Sequence, residues 1–296
     1  GKTFVGAVAL SLIQEGKLDL DEHVSTYLGD KPCFSRLPNA ADINLKHLLT
    51  HSSGLKDHVY SQGFGQALHT GLSGGDPDFT LPHEDLVGFI LDEDANFKPG
   101  EGYSYTDTGY ILTGLVIEAV SGKTYYDLLQ ERILDKHNLY ATSPATKRHL
   151  EGLTAGYLSE KNPLGLPQKI AENEEMLVNP AVEWTGGGLI SNAKDLATWA
   201  KILYEDKALE GEYLADLLNG VQIHPERPDS YGLGVFIGES SKFGKIYSHG
   251  GWFPGYRTSM QYFADHQISV AVQINRDFKL DMAKAVDRIA GIFIEE

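Results

Sequence analysis

Cysteine is almost absent from the sequence: Cys33 is the one residue of its kind in 296. A single cysteine closes no internal disulfide and has no partners for a zinc site, so Cys33 reads as a small buried or half-buried residue. Long apolar runs are missing too, and no segment approaches the ~20 residues of a membrane-spanning helix. Basic clusters are the third absence. Lys and Arg number 25 against 41 Asp and Glu, giving a net charge of −16 and a pI near 5.1. No stretch of Lys and Arg would track a phosphate backbone, which argues against nucleic acid as a partner. The acidity speaks to solubility, and disfavours anionic substrates unless a local basic pocket overrides it. His47, His51, His58 and His69 are too scattered for a metal site, and His51 is better explained as fixing a turn. No metal and no cofactor are expected. The sequence shows no internal repeat, low-complexity segment or signal-peptide pattern.

What is present is ordinary globular composition, 42% hydrophobic and 22% charged, long enough for a large core or two subdomains. Residues 2–15 predict a buried helix: Phe4, Val5, Val8, Leu12 and Ile13 fall at helical spacing, and Gly16 suits the position after its end. A short helix at 44–50 ends in the turn His51-Ser52-Ser53-Gly54. Residues 56–81 read as loop. Further helices are expected from Pro82 to Leu91, Tyr110 to Val120, Tyr125 to Ile133, Asp195 to Tyr204 with Ser191 or Asn192 as cap, and Met282 to Ile294. Strands are expected at 231–237, 245–248, 258–263 and 268–274, at hairpin spacing. Helices first, then an antiparallel meander, then a closing helix argue for an α+β fold with a helix-flanked antiparallel sheet.

Three stretches carry candidate chemistry. The first is the opening Gly1-Lys2-Thr3-Phe4, a lysine at the start of a buried helix. The second is Lys98-Pro99-Gly100-Glu101-Gly102-Tyr103-Ser104-Tyr105-Thr106-Asp107, where a turn leads into a tyrosine and an acid two apart. Tyrosine works as a general base only if its pKa falls from about 10, and Lys2 would supply the charge for that. Alone, Tyr-x-Asp also fits a tyrosine packed on the core and an aspartate capping a helix. The third is Tyr247-Ser248-His249-Gly250-Gly251-Trp252-Phe253-Pro254, a strand ending in paired glycines before an aromatic turn. Such an edge lets a ligand approach closely and can offer an N–H to an oxyanion, though a plain bulge explains it equally well.

Together these stretches resemble the serine β-lactamase and penicillin-binding protein family, in its class C, DD-peptidase and family VIII esterase branch. Lys2 would be the lysine of the S-x-x-K tetrad, whose serine is expected just before Gly1 and outside this sequence. Leu45 to Leu55 resembles the L-x-H-L-L-T-H-x-S-G-L signature. Tyr105-Thr106-Asp107 matches the Y-x-N element with Asp for Asn. Gly186 to Leu196 resembles G-G-L-x-S-T-A-x-D-L, and His249-Gly250-Gly251 matches the K-T-G or H-x-G strand. The resemblance implies a central antiparallel sheet flanked by helices, with an all-helical lobe at roughly 40–185 and a sheet subdomain from 1–39 and 186–296. It also implies that the family's N-terminal helix and strands are missing here, leaving a sheet edge unpaired.

The resemblance assigns roles as well. Lys2 and Tyr105 would share the serine's proton. Asp107 would hold Lys2 and contact substrate, and His249 would replace the third-motif lysine. Gly250 and Gly251 would border the substrate while Trp252 donates its backbone N–H to the oxyanion. The implied activity is acyl-enzyme hydrolysis of an ester, a D-amino-acid peptide or a β-lactam, on a small-molecule or short-peptide substrate. His249 favours esterase or peptidase over β-lactamase. A periplasmic or secreted setting is implied. Two alternatives stay open: a non-catalytic relative that binds a peptide or cell-wall fragment, and a separate N-terminal segment that carries the serine and completes the sheet. Other serines fit poorly. Ser53-Gly54-Leu55-Lys56 has a glycine inside and no helix after it. Ser191-Asn192-Ala193-Lys194 is better read as a helix cap. Gly71-Leu72-Ser73-Gly74-Gly75 follows no strand, as a hydrolase elbow would require.

Overall fold

Apolar strands joined by short turns build one antiparallel sheet from the C-terminal third of the chain. The computed structural model of the protein describes residues 1–162, 165–277 and 280–294. Its helices are α1 (Lys2–Gln14), α2 (Val24–Leu28), α3 (Leu45–Leu49), α4 (Gln62–Ser73), α5 (His83–Gly88), α6 (Asp107–Ser121), α7 (Tyr125–Leu129), α8 (Trp184–Gly187), α9 (Ala193–Tyr204), α10 (Leu214–Leu217) and α11 (Met282–Ile294). Its strands are β1 (Ser143–Pro144), β2 (Ala171–Glu172), β3 (Glu175–Met176), β4 (Leu189–Ile190), β5 (Val221–Gln222), β6 (Ser230–Tyr231), β7 (Phe236–Ser240), β8 (Gly244–Phe253), β9 (Tyr256–Phe263) and β10 (Ile268–Ile274). The main sheet has six strands in the order β10-β9-β8-β7-β6-β5, all antiparallel.

Successive residues of a strand face opposite sides, and β9 uses this to hold two cores. Tyr262 packs with Tyr204 of α9, while Phe263 packs with Phe243, Val286 and Ala290 beneath α11. The sheet is therefore flanked by helices on both faces, an α+β arrangement.

Helix α1 is apolar on nearly every side and buried from Lys2 to Leu12, as a helix without a polar face must be. It packs against α6, and Phe4 stacks on Trp199 of α9 with ring centroids 4.3 Å apart. The Trp199 indole N–H donates to Thr3 Oγ1 at 2.9 Å. Each fully buried Val or Leu contributes about 1.5–3 kcal/mol, and several of them together offset the cost of burying Lys2 at the helix start. Two glycines permit this close packing. A Cβ on Gly6 would lie 2.2 Å from the Leu233 carbonyl, and Gly234, at φ +86, lies against the Lys2 carbonyl.

Three expectations need correcting, and the two candidates for the α9 cap are resolved. The glycine-rich stretch 56–81 holds a helix, α4, which buries Phe64 and packs Leu68 one turn on. The run 231–237 is not one strand but a hairpin from β6 to β7, closed by Gly232 N–H to Val235 O. Helix α6 begins at Asp107 rather than Tyr110, with Thr106 as its cap. The cap of α9 is Asn192, whose side chain accepts from Asp195 N–H, while Ser191 Oγ contacts Thr142 Oγ1.

Candidate active site

Two helix starts meet at the site. Lys2 opens α1 and Asp107 opens α6. A carboxylate is favoured at a helix N-terminus and a cation is not, so Lys2 needs a partner. Its Nζ donates to the Asp107 carboxylate and, at 2.5 Å, to the Gly186 carbonyl. It also lies 4.8 Å from the centroid of the Tyr105 ring and 5.1 Å from that of Tyr110. Burial acts to lower the basicity of Lys2, but Asp107 and then Tyr105 outweigh it, and the pKa ends above that of an ordinary lysine. Lys2 is an ammonium held by a carboxylate.

Tyr105 is carried on a segment clamped by His51. The His51 carbonyl accepts from Ser104 N–H at 2.9 Å, and its Nδ1 accepts from Thr106 N–H at 3.2 Å. Its ring lies 4.1 Å, centroid to centroid, from that of Tyr105. His51 takes a left-handed backbone, φ +57, and is fully buried. Burial first, then Lys2, holds it well below the usual histidine pKa, so it is neutral and adds no second cation beside Lys2. The expectation that Lys2 would bring the Tyr105 phenol down is not met. Burial pushes its pKa up, and the attraction of Lys2 only partly opposes that. At rest Tyr105 is a phenol.

The opposite wall is β8. Its pairing with β7 stops at Phe236↔Ser248, whereas its pairing with β9 continues to Phe253↔Tyr256. Among the described residues, 249–253 therefore have a paired strand on one side only. The strand does not end at the glycines, as the sequence suggested, but runs on through Phe253. A Cβ on Gly250 or Gly251 would come no closer than 3.5 Å to another residue. Trp252 stands 58% exposed at the lip. His249 has both nitrogens engaged: Nδ1 donates to the Gly250 carbonyl at 2.6 Å, and Nε2 accepts from Tyr231 Oη at 2.9 Å. Desolvation, reinforced by Lys2, keeps its pKa well below the ordinary value. A neutral histidine so bonded cannot stand in for a lysine as a cation.

These walls enclose a cleft of about 390 Å³ lined by Lys2, Tyr105, Asp107, His249, Gly250, Gly251 and Trp252. All seven expected residues are thus brought together. Leu150, Leu153, Met176, Phe253 and Tyr256 give the same cleft an apolar end. Sequence reasoning missed the Gly186 carbonyl, Tyr231, the clamping role of His51, and Glu183, which also lines the cleft. His51 had a signal in its place in a turn, and Gly186 in the segment that resembles G-G-L-x-S-T-A-x-D-L.

Neither Ser53 nor Ser191 is assembled for catalysis with the lysine three residues on. Ser53 is fully buried, Gly54 after it has φ +74, and Lys56 pairs with Glu93. Lys194 is exposed. The backbone of Ser73 ends α4, and its side chain lies outside the described residues. Among the described residues no group of His, Cys, Asp and Glu is placed to hold a metal, and no helix is long and apolar enough to cross a membrane.

A lysine at a buried helix start, facing Tyr-x-Asp and a strand edge, on this sheet, defines the serine hydrolase fold of β-lactamases and penicillin-binding proteins. The Beta-lactamase family model matches residues 1–292, and the chain belongs to that family. It is 24% identical over 298 residues to penicillin-binding protein 4* of Bacillus subtilis, covering 98% of this chain but 62% of that relative's length. Among solved structures it resembles a D-stereospecific amidohydrolase from Streptomyces sp., at 27% identity and TM-score 0.86, over 100% of this chain and 85% of the other. It shares its fold with a D-amino acid amidase from Ochrobactrum anthropi SV3, at 22% identity and TM-score 0.79, over 99% and 82% of the two chains.

Proposed function

We propose that this chain carries the catalytic cleft of a serine acyl hydrolase acting through a covalent acyl-enzyme, on an amide or ester whose acyl part bears no carboxylate. The observation that carries it is the Lys2 ammonium fixed by Asp107 beneath the Tyr105 ring, opposite an open strand edge. The nucleophile is the serine of the tetrad ending at Lys2. Counting back three residues from Lys2 puts it two positions ahead of Gly1 rather than adjacent to it.

The protonation states suit a relay. Serine Oγ forms a bond to the acyl carbon as its proton passes to Tyr105 Oη. Tyr105's own proton passes to the leaving nitrogen or oxygen, whose bond to carbon then breaks. Water repeats the steps in reverse, releasing the acid and restoring the serine. No resting phenolate is needed, which fits the raised Tyr105 pKa. Lys2 steadies negative charge passing through Tyr105. An N–H of the open β8 edge, assigned to Trp252, faces the oxyanion.

Substrate choice follows from His249. β-Lactam acids and C-terminal D-peptides present a carboxylate, and the one lysine that lines the cleft among the described residues is already paired with Asp107. Amides such as those named for the structural relatives, and neutral esters, need no such cation. In the full-length protein, Tyr105→Phe should cut turnover of an activated ester by about 10²–10⁴ with the fold intact. Near-normal turnover would leave Tyr105 as packing and favour the alternative of a non-catalytic peptide-binding relative.

A further inference from the structure

Trp184 sits behind the cleft in a backbone conformation that suits glycine. Its φ of +36 and ψ of −119 resemble the first central residue of a type II′ turn, where a side chain is crowded and glycine is preferred. Such an outlier persists only where its surroundings over-determine it. Here the surroundings are explicit. The indole is 2% exposed and stacks on the His83 imidazole of α5, with ring centroids 3.8 Å apart and 11° between the planes. Its far edge meets α6 at Gly114, where a Cβ would lie 2.7 Å from Trp184 Cη2 and 2.7 Å from Thr185 Cγ2.

The turn held in this way carries a partner of Lys2. The Trp184 carbonyl accepts from Gly188 N–H at 2.8 Å and closes α8 as a single turn. Within that turn the Gly186 carbonyl is aimed at Lys2 Nζ, at 2.5 Å. Asp107, the other acceptor of Lys2, opens α6. Gly114 lies about two turns further along α6 and so on the same face. A Cβ on Gly186 would lie 3.5 Å from that of Asp107, so α8 runs against this face. One face of α6 thus sets both acceptors, Asp107 directly and Gly186 through the indole.

We infer that Trp184 is a positioning residue for Lys2: its indole, wedged between His83 and Gly114, holds the strained turn that presents the Gly186 carbonyl to the ammonium. Without the wedge the turn relaxes, the carbonyl swings away, and Lys2 keeps Asp107 alone. The hold on Lys2 stands apart from the hydrolase reading; its effect on turnover rests on that reading.

The test compares Trp184→Ala with Trp184→Gly in the full-length protein carrying isotope-labelled lysine. Both variants lose the indole and its packing, but only glycine keeps the turn without strain. The readout is hydrogen exchange of the Lys2 ammonium, followed by NMR and identified by its loss in Lys2→Met. Exchange should quicken about tenfold in W184A, as one charged hydrogen bond is lost, and stay near native in W184G. His83→Ala, outside the cleft lining, loosens the wedge from behind and should quicken exchange by a smaller factor. Equal exchange in W184A and W184G, or native exchange in H83A, overturns the inference; the H83A arm decides it if W184A fails to fold. With an activated ester, kcat should fall in the order native, W184G, W184A while KM holds. The expected exchange pattern in a protein that no ester acylates would leave the inference standing and sink the hydrolase reading. Acylation with equal exchange in the two Trp184 variants would do the reverse.

Discussion

Lys2 and Glu183 face the same cleft with opposite charges and opposite degrees of commitment. Lys2 is buried, bonded to Asp107 and to the Gly186 carbonyl, and its charge is made more secure by its surroundings. Glu183 has no hydrogen-bond or ion-pair partner among the described residues, and its charge is made less secure by its surroundings. His249 belongs with Lys2, since both its nitrogens are bonded within the protein. The open edge of β8 belongs with Glu183. The committed groups are arranged before substrate arrives, as electrostatic preorganisation requires. On the proposed function, the uncommitted ones are left for the substrate to complete.

The comparison breaks most visibly at the open edge. Gly251→Val puts a side chain where the sheet has room for it, beside Thr258, but at the rim of the cleft. Turnover should fall by about 10²–10³, the cost of one oxyanion donor, with the melting temperature nearly unchanged. Normal turnover would show that the edge of β8 does not face the reacting carbonyl.

A smaller effect is expected in stability. The Glu183 carboxyl is raised from 4.5 to about 7 in the folded protein, so between those values the folded state holds more protons than the unfolded state. Stability must then fall as pH rises through that window. Asp57, raised by burial from 3.8 to about 6, acts in the same direction at lower pH. Glu183→Gln should therefore flatten the decline between pH 5 and 7, with a difference on the order of 1 kcal/mol after solvent screening. Urea denaturation of both forms across that range measures it. Parallel pH profiles would mean that Glu183 is paired in solution.

The committed side of the cleft was largely legible in the sequence, and the uncommitted side was not. Lys2, Tyr105-Thr106-Asp107 and His249-Gly250-Gly251 each lie in a local pattern that a short window captures: an apolar helix start, a turn before a helix, a strand with paired glycines. Strands β9 and β10 and helices α1 and α11 were readable for the same reason, since burial imposes its period on the residues. Helix α4 was hidden because Gly63, Gly65 and Gly71 dilute the apolar face that Phe64 and Leu68 form. The turn at 232–235 was hidden because its glycines sit within a run of apolar residues. Glu183 has no local signature at all. What makes it notable is a cleft built from segments far apart in the chain, together with the lack of a partner among the described residues. The pKa of Tyr105 failed in the other direction: sequence supplied the nearby cation but not the burial that outweighs it.

The central claim is that Lys2 and Tyr105 serve a nucleophilic serine three residues ahead of Lys2. The direct measurement is mass analysis of the full-length protein quenched during reaction with an activated ester, followed by tryptic mapping. One acyl group should appear, on the serine of the peptide that ends at Lys2, and should decay as product forms. An acyl group on any other peptide, or product formation with no acylated protein at any time after mixing, would contradict the account.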